Sequence, residues 1–229
     1  MAPNKMESII LLAERGKVKA DNCIFSLSNL VKSCTGTIPA IWVEKEATLA
    51  LTNSEVKGHE KKNTIGLVCR LGTLLLENSI LSNHKEGALL LWGIRDNHSK
   101  IVKNYIEDNS LGVHLVGEEF KLKIVSNSIS RNQVGIKVGL ACEPEISRNI
   151  ITENEQGIEV HSAFPSIVLN KIEKNKQNGI FCRSYKRFLC KAHISKNVAI
   201  VGNCLNGVLV EGENNRSQIA NNHLIGFNG

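Results

Sequence analysis

ISRNIITENEQGIEV, from Ile146 to Val160, is the stretch whose reading decides the fold. Within its last four residues Ile158 and Val160 point one way and Glu159 the other, the period-two alternation of a strand with one apolar face. Asn149 and Asn154 punctuate the phrase, because asparagine bonds neighbouring main chain and tolerates left-handed backbone. Gly157 precedes the alternating segment and is expected to supply a turn conformation closed to other residues.

The phrase recurs in both directions. IVSNSISRNQVGIKV runs from Ile124 to Val138, IVKNYIEDNSLGVHL from Ile101 to Leu115, and LLENSILSNHKEGALL from Leu75 to Leu90. IVLNKIEKNKQNGIFC follows from Ile167 to Cys182. Diverged copies stand at LALTNSEVKG from Leu49, VKADNCIF from Val18 and IANNHLIGFNG from Ile219. Gly66, Gly87, Gly112, Gly135, Gly157, Gly179 and Gly207 are separated by 21, 25, 23, 22, 22 and 28 residues. Periods near 22 suit one coil of a parallel β-helix and are too short for helix-pair repeats or propeller blades. The L-x-x-L-x-L pattern of leucine-rich repeats is absent.

The expectation is therefore an all-β, right-handed single-stranded parallel β-helix of about eight to nine coils, one domain over residues 1–229. Its core is expected as rows of like residues. One row is Ile41, Leu67, Ala88, Val113, Ile136, Ile158, Ile180 and Val208; another is Val43, Cys69, Leu90, Leu115, Val138, Val160, Cys182 and Val210. Asn78, Asn104, Asn127, Asn149, Asn170 and Asn197 are expected to stack as a structural amide ladder. Asn83, Asn109, Asn132, Asn154 and Asn175 form a second periodic series.

The repeat resembles that of the pectate-lyase-like and carbohydrate-binding/sugar-hydrolase β-helices over nearly the whole chain, from about Ser8. Copies such as AIWVEKEATLALTNSEVKG, from Ala40, look closest to intracellular eukaryotic members, the β-helix F-box and Shc-binding spindle-associated proteins. That resemblance implies a non-catalytic scaffold presenting a rigid face to a protein partner. The alternative it carries is a polysaccharide lyase, hydrolase or epimerase, or a carbohydrate-binding module.

Enzymes of this fold work over the strand that follows each repeated glycine. Its expected outward row is Trp42, Val68, Leu89, His114, Lys137, Glu159, Phe181 and Leu209, and the candidate binding face includes Arg70 and Arg183. Glycoside hydrolysis needs two carboxylates about 5–10 Å apart, whereas Glu159 has Lys137 and Phe181 on the adjoining coils. No catalytic set is assigned. The apolar members of the row suit a protein contact, unless longer loops, such as the excursion between Phe25 and Pro39 or the coil after Gly179, cover them. Asp96 and His98 in the turn from Trp92, the acidic pair Glu118-Glu119 and the basic run Arg183-Ser184-Tyr185-Lys186-Arg187 read as solvated surface.

Composition narrows the rest. Seven cysteines, an odd number with no C-x-x-C spacing, point to free thiols in a reducing, cytoplasmic compartment, and the resemblance to the spindle-associated proteins implies a cytoskeletal association. No metal and no cofactor are expected, since neither His114 nor Cys182 has a second ligand at suitable spacing. The net charge of +6 is dispersed and aromatics are 4%, which disfavours nucleic acid. The apolar run from Ile9 to Ala13 is too short for a membrane span or signal core. Both ends of the solenoid are expected to be capped by a partner, a second copy or further sequence.

Overall fold

In the computed structural model the described residues are 10–27, 36–59, 61–93, 98–117 and 121–228. They form a right-handed parallel β-helix: three sheets of nine strands each, every strand pairing with the equivalent strands of the coils before and after it. The first sheet runs from Leu11–Ala13 to Val208–Glu211, the second from Gly16–Asp21 to Gln218–Ala220, and the third from Ile24–Ser26 to Ile225–Gly226.

Stacking of like residues builds the core. In the second sheet Leu51, Leu76, Ile101, Ile124, Ile146, Ile167 and Ile194 lie in register and are fully buried. In the third, Val56, Leu81, Ile106, Ile129, Ile151, Ile172 and Ile200 do the same. Each such side chain contributes roughly 1.5–3 kcal/mol by leaving water, and a coil gains that only against its neighbours. On the last coil the row members Val210, Ile219 and Ile225 are 41%, 46% and 44% exposed.

One coil departs from the expected phase. In the first sheet Leu89 pairs with Leu67 and Val113 and is fully buried, so it belongs to the core row assigned to Ala88. Leu91 takes the core place assigned to Leu90, and Leu90 is the outward residue, in register with Val68 and His114. The cause is the run Leu89-Leu90-Leu91, which has no polar residue to mark the outward phase; a one-residue slip exchanges the faces.

The repeated glycines act differently from the turn role expected. Gly66, Gly112, Gly135, Gly157, Gly179 and Gly207 carry no left-handed φ. They permit close approach: a Cβ on Gly135 would lie 2.6 Å from the Gly157 carbonyl oxygen, and one on Gly179 2.7 Å from that of Gly207. Ala88, not Gly87, occupies this row on its coil, since it is the Ala88 carbonyl that a Cβ on Gly66 would meet.

The asparagine ladder is present, and a second accompanies it. In the first, Asn127 Oδ1 accepts both the main-chain N–H and the Nδ2–H of Asn104, at 2.9 and 3.0 Å, while Asn127 Nδ2 donates to the Ile101 carbonyl. Asn149, Asn170, Asn197 and Asn222 repeat the pattern. Asn78 is not a member. It is exposed with φ 50°, and Ser79 beside it makes the ladder contact to Asn104, as Ser54 does to Ser79. The second ladder joins Asn109, Asn132, Asn154, Asn175, Asn203 and Asn228, and begins at His84 and not at Asn83.

Left-handed backbone is thus separated from laddering. The residue before each rung bends the chain, as Lys103, Ser126, Arg148 and Leu169 do with φ between 56° and 60°, and the asparagine after it satisfies the buried main chain.

Candidate functional site

The outward face of the first sheet carries two columns of side chains. In register along the first are Trp42, Val68, Leu90, His114, Lys137, Glu159, Phe181 and Leu209. Two residues further along each strand, Arg70, Trp92 and Val116 pair in turn, as do Gly139, His161, Arg183 and Glu211. Successive coils in such a sheet are about 4.8 Å apart, so each column sets chemically different groups at regular steps.

Four of these groups converge. Glu159 Oε2 lies 3.4 Å from Lys137 Nζ and 3.3 Å from His161 Nε2. The edge of the Phe181 ring meets the His161 ring at 86°, with centroids 6.1 Å apart. His114 is the register partner of Lys137 on the preceding coil.

The electrostatics follow from this packing. Burial pulls the Glu159 carboxyl upward, but the hydrogen bond with His161 and the charge and hydrogen bond of Lys137 outweigh it and hold it below the usual carboxylate range. An ionised carboxylate only accepts, so His161 Nε2 carries the proton donated to it and Nδ1 remains the basic nitrogen. His114 is pushed down to about 4, first by burial and then by the Lys137 charge, which keeps its imidazole neutral near pH 7.

Of the expected face, His114, Lys137, Glu159 and Phe181 come together, and Arg183 lies on the coil after His161, its Nε 3.9 Å from Glu211 Oε2. Arg70 is set apart, its guanidinium over the Trp92 ring at 5.7 Å. Trp42 donates its indole N–H to Glu44 at 2.7 Å. Leu89 is not on the face at all, being a fully buried core residue. Val68 is 5% exposed, so the expected flat apolar patch is broken, with the charged cluster between its two halves. Asp96 and Glu118-Glu119 lie outside the described residues, as do residues 28–35 of the excursion after Phe25. His98 is exposed.

His161 and Trp92 were not among the expected site residues. The signal was available: Glu159-Val160-His161 alternates, so the residue two past each outward position must also face out.

The residues adjoining Glu159 along its column are Lys137 and Phe181, so no second carboxylate is placed for glycoside hydrolysis. Among the described residues no group of three or more His, Cys, Asp or Glu side chains is arranged to hold a metal ion. What the cluster offers is a cation, a carboxylate-oriented imidazole and a second, neutral imidazole. That set can bind a carboxylate and take a proton from the carbon next to it.

Residues 39–224 match the family model described as the right-handed beta helix region. No curated protein sequence matches the chain. Among solved structures, a double mutant of the periplasmic alginate epimerase AlgG is similar with a TM-score of 0.77 and 11% identity, covering 93% of this chain and 51% of that one. A single mutant of the same epimerase gives 0.61 and 12%, covering 88% and 55%. The chain thus spans about half the length of those proteins. Their periplasmic setting overturns the cytoplasmic placement expected from the cysteines. Cys69, Cys142, Cys182 and Cys190 are buried, and buried thiols persist for reasons of packing as much as of compartment.

Proposed function

The chain belongs to the right-handed β-helix family, and from that premise we propose that its first-sheet face binds and chemically modifies an acidic, uronate-containing polysaccharide. The observation that carries this reading is the convergence of Lys137 and His161 on Glu159, with His114 alongside. Lys137 pairs with the uronate carboxylate and, by neutralising it, acidifies the C5 proton next to it. His161 Nδ1 takes that proton, and the electron pair left behind delocalises into the carboxylate. Return of a proton from water on the opposite side inverts C5; expulsion of the 4-linked sugar oxygen, which leaves as a hydroxyl by taking up a proton, cleaves the chain and leaves an unsaturated uronate. Both outcomes share the first step, and neither needs paired carboxylates. That the similar solved structures are alginate epimerases supports the same substrate class.

The test is incubation of the chain with polymannuronate and with polygalacturonate, read by proton NMR for C5 inversion and by ultraviolet absorbance for unsaturated ends. Turnover lost in His161→Ala and Lys137→Ala supports the reading. Absence of both binding and turnover on every acidic polymer overturns it.

A second reading rests on the partly exposed Trp42, Leu90, Phe181 and Leu209. These suit a protein contact of the kind attributed to the β-helix F-box and spindle-associated proteins. It predicts that the face binds no acidic polysaccharide.

A further inference from the structure

Three cations lie over aromatic rings, and all three pairs stand at the margins of the first-sheet face. The Arg70 guanidinium is 5.7 Å from the Trp92 ring centre, Lys186 Nζ 5.2 Å from that of Tyr185, and the Arg187 guanidinium 5.8 Å from that of Phe188. Trp92, Tyr185 and Phe188 are nonetheless 54%, 56% and 47% exposed. Among the described residues none of the three cations is paired with a carboxylate, whereas Arg131 is committed to Glu107 and Asp108, and Lys171 to Glu173.

Their positions relative to the cluster are set by the strands. Trp92 lies in the outward column of His161, three strand-to-strand steps before it, and Arg70 one step further. At about 4.8 Å a step, Trp92 is about 14 Å from His161 along the solenoid. Tyr185 and Phe188 follow the strand Ile180–Arg183, a single step after that of His161. Their backbone is pinned. Tyr185 N–H donates at 2.9 Å to the Oγ of Ser162, the neighbour of His161, Phe188 N–H donates to the Tyr185 carbonyl at 3.0 Å, and Asn214 Nδ2 to the Lys186 carbonyl at 2.9 Å. Rings held in this way need little further ordering when a ligand arrives.

A cation over an exposed ring recognises two things at once. The ring takes the C–H face of a sugar, and the cation takes a carboxylate at that sugar's edge. A uronate carries both, whereas a neutral glycan leaves the cation unanswered.

We propose that these pairs are two uronate-binding stations at unequal distances from the cluster, a near one at Tyr185–Phe188 and a far one at Arg70–Trp92. The proposal rests on the reading of the cluster as a polyuronate site and deepens it: the chain lies across the coils, and length is what the far station selects. Every substrate seated at His161 meets the near station, and only one reaching three to four coils back meets the far one. Contacts so remote from C5 are the same before and during proton removal, so they lower KM and leave kcat unchanged.

The experiment is steady-state turnover of oligomannuronates and oligogalacturonates of defined length, from the trisaccharide to chains long enough to pass Arg70. The expected result is a KM that falls with length in the parental chain. Trp92→Ala and Arg70→Ala raise KM on the order of tenfold for the long oligomers and leave the trisaccharide unaffected. Tyr185→Ala combined with Phe188→Ala raises it at every length. Trp92→Phe, which keeps a ring, retains most of the advantage of length, and Tyr105→Ala, an equally exposed aromatic on the third sheet, changes nothing. A length dependence untouched by Trp92→Ala and Arg70→Ala, or one shifted equally for the trisaccharide, would overturn the stations while the cluster still turns substrate over. A parental chain that turns over no uronate of any length overturns the reading of the cluster, and the stations with it.

Discussion

His161 Nε2 lies 3.3 Å from Glu159 Oε2, two residues back on the same strand, so strand alternation alone brings a base and the carboxylate that orients it onto one face. Lys137, one coil earlier, reaches the same carboxylate oxygen at 3.4 Å.

Glu159→Gln removes the ionised acceptor and frees the tautomer of His161. If His161 is the base, turnover on a polyuronate falls by about 10²–10⁴-fold with little change in KM. Lys137→Ala raises KM as well as lowering turnover, because it removes both the partner of the substrate carboxylate and the charge that acidifies the C5 proton. Steady-state kinetics of the two variants separate the roles.

His84 predicts an acid-sensitive step in stability. It is fully buried at the head of the second ladder, with Nε2 3.1 Å from the Val56 carbonyl and Nδ1 3.3 Å from Thr64 Oγ1. A carbonyl only accepts, so Nε2 carries the proton, and the imidazole copies the bond that Asn109 Nδ2 makes to the Leu81 carbonyl. Burial holds its pKa down at about 4, against 6.5 in the unfolded chain. Between those values the unfolded state binds more protons, so stability rises with pH through the window and the penalty is absent above it. The full shift corresponds to about 3 kcal/mol. His84→Asn continues the ladder and should abolish that component; urea unfolding of both chains at pH 4 and pH 7 checks it.

Asn149→Ala strands the Asn127 donors that its side-chain oxygen accepts and the Ile124 carbonyl that its amide reaches. Unpaired buried groups cost about 1–3 kcal/mol each, so a loss of roughly 3–5 kcal/mol is expected from denaturant unfolding. Asn78→Ala, outside the ladder, should cost far less.

Gly135→Ala sets a methyl 2.6 Å from the Gly157 carbonyl oxygen. Backbone cannot yield as a flexible side chain does, and a loss of about 1–3 kcal/mol is expected. Gly139→Ala is the control, because its nearest contact would be an ordinary 3.6 Å.

The coil architecture was legible because Ile and Val at alternate positions, repeated near every 22 residues, leave a stacked solenoid as the arrangement that buries them all. The phase failed where the alternation did, at Leu89-Leu90-Leu91. It failed again where Ser79 and His84 took rungs beside Asn78 and Asn83, so that the visible asparagine marked the bend and not the ladder. The site was half legible. His114, Lys137 and Glu159 stood in the expected row, but following one outward column left out His161, the base in the proposed reaction.

The central claim is proton removal at C5 by the Lys137–Glu159–His161 cluster. It is tested most directly by incubating polymannuronate with the chain in deuterated water and reading deuterium at C5 by NMR. The account predicts incorporation that disappears in His161→Ala while that variant keeps its fold. Polymer that binds along the first sheet yet leaves C5 unlabelled and its bonds intact would contradict it.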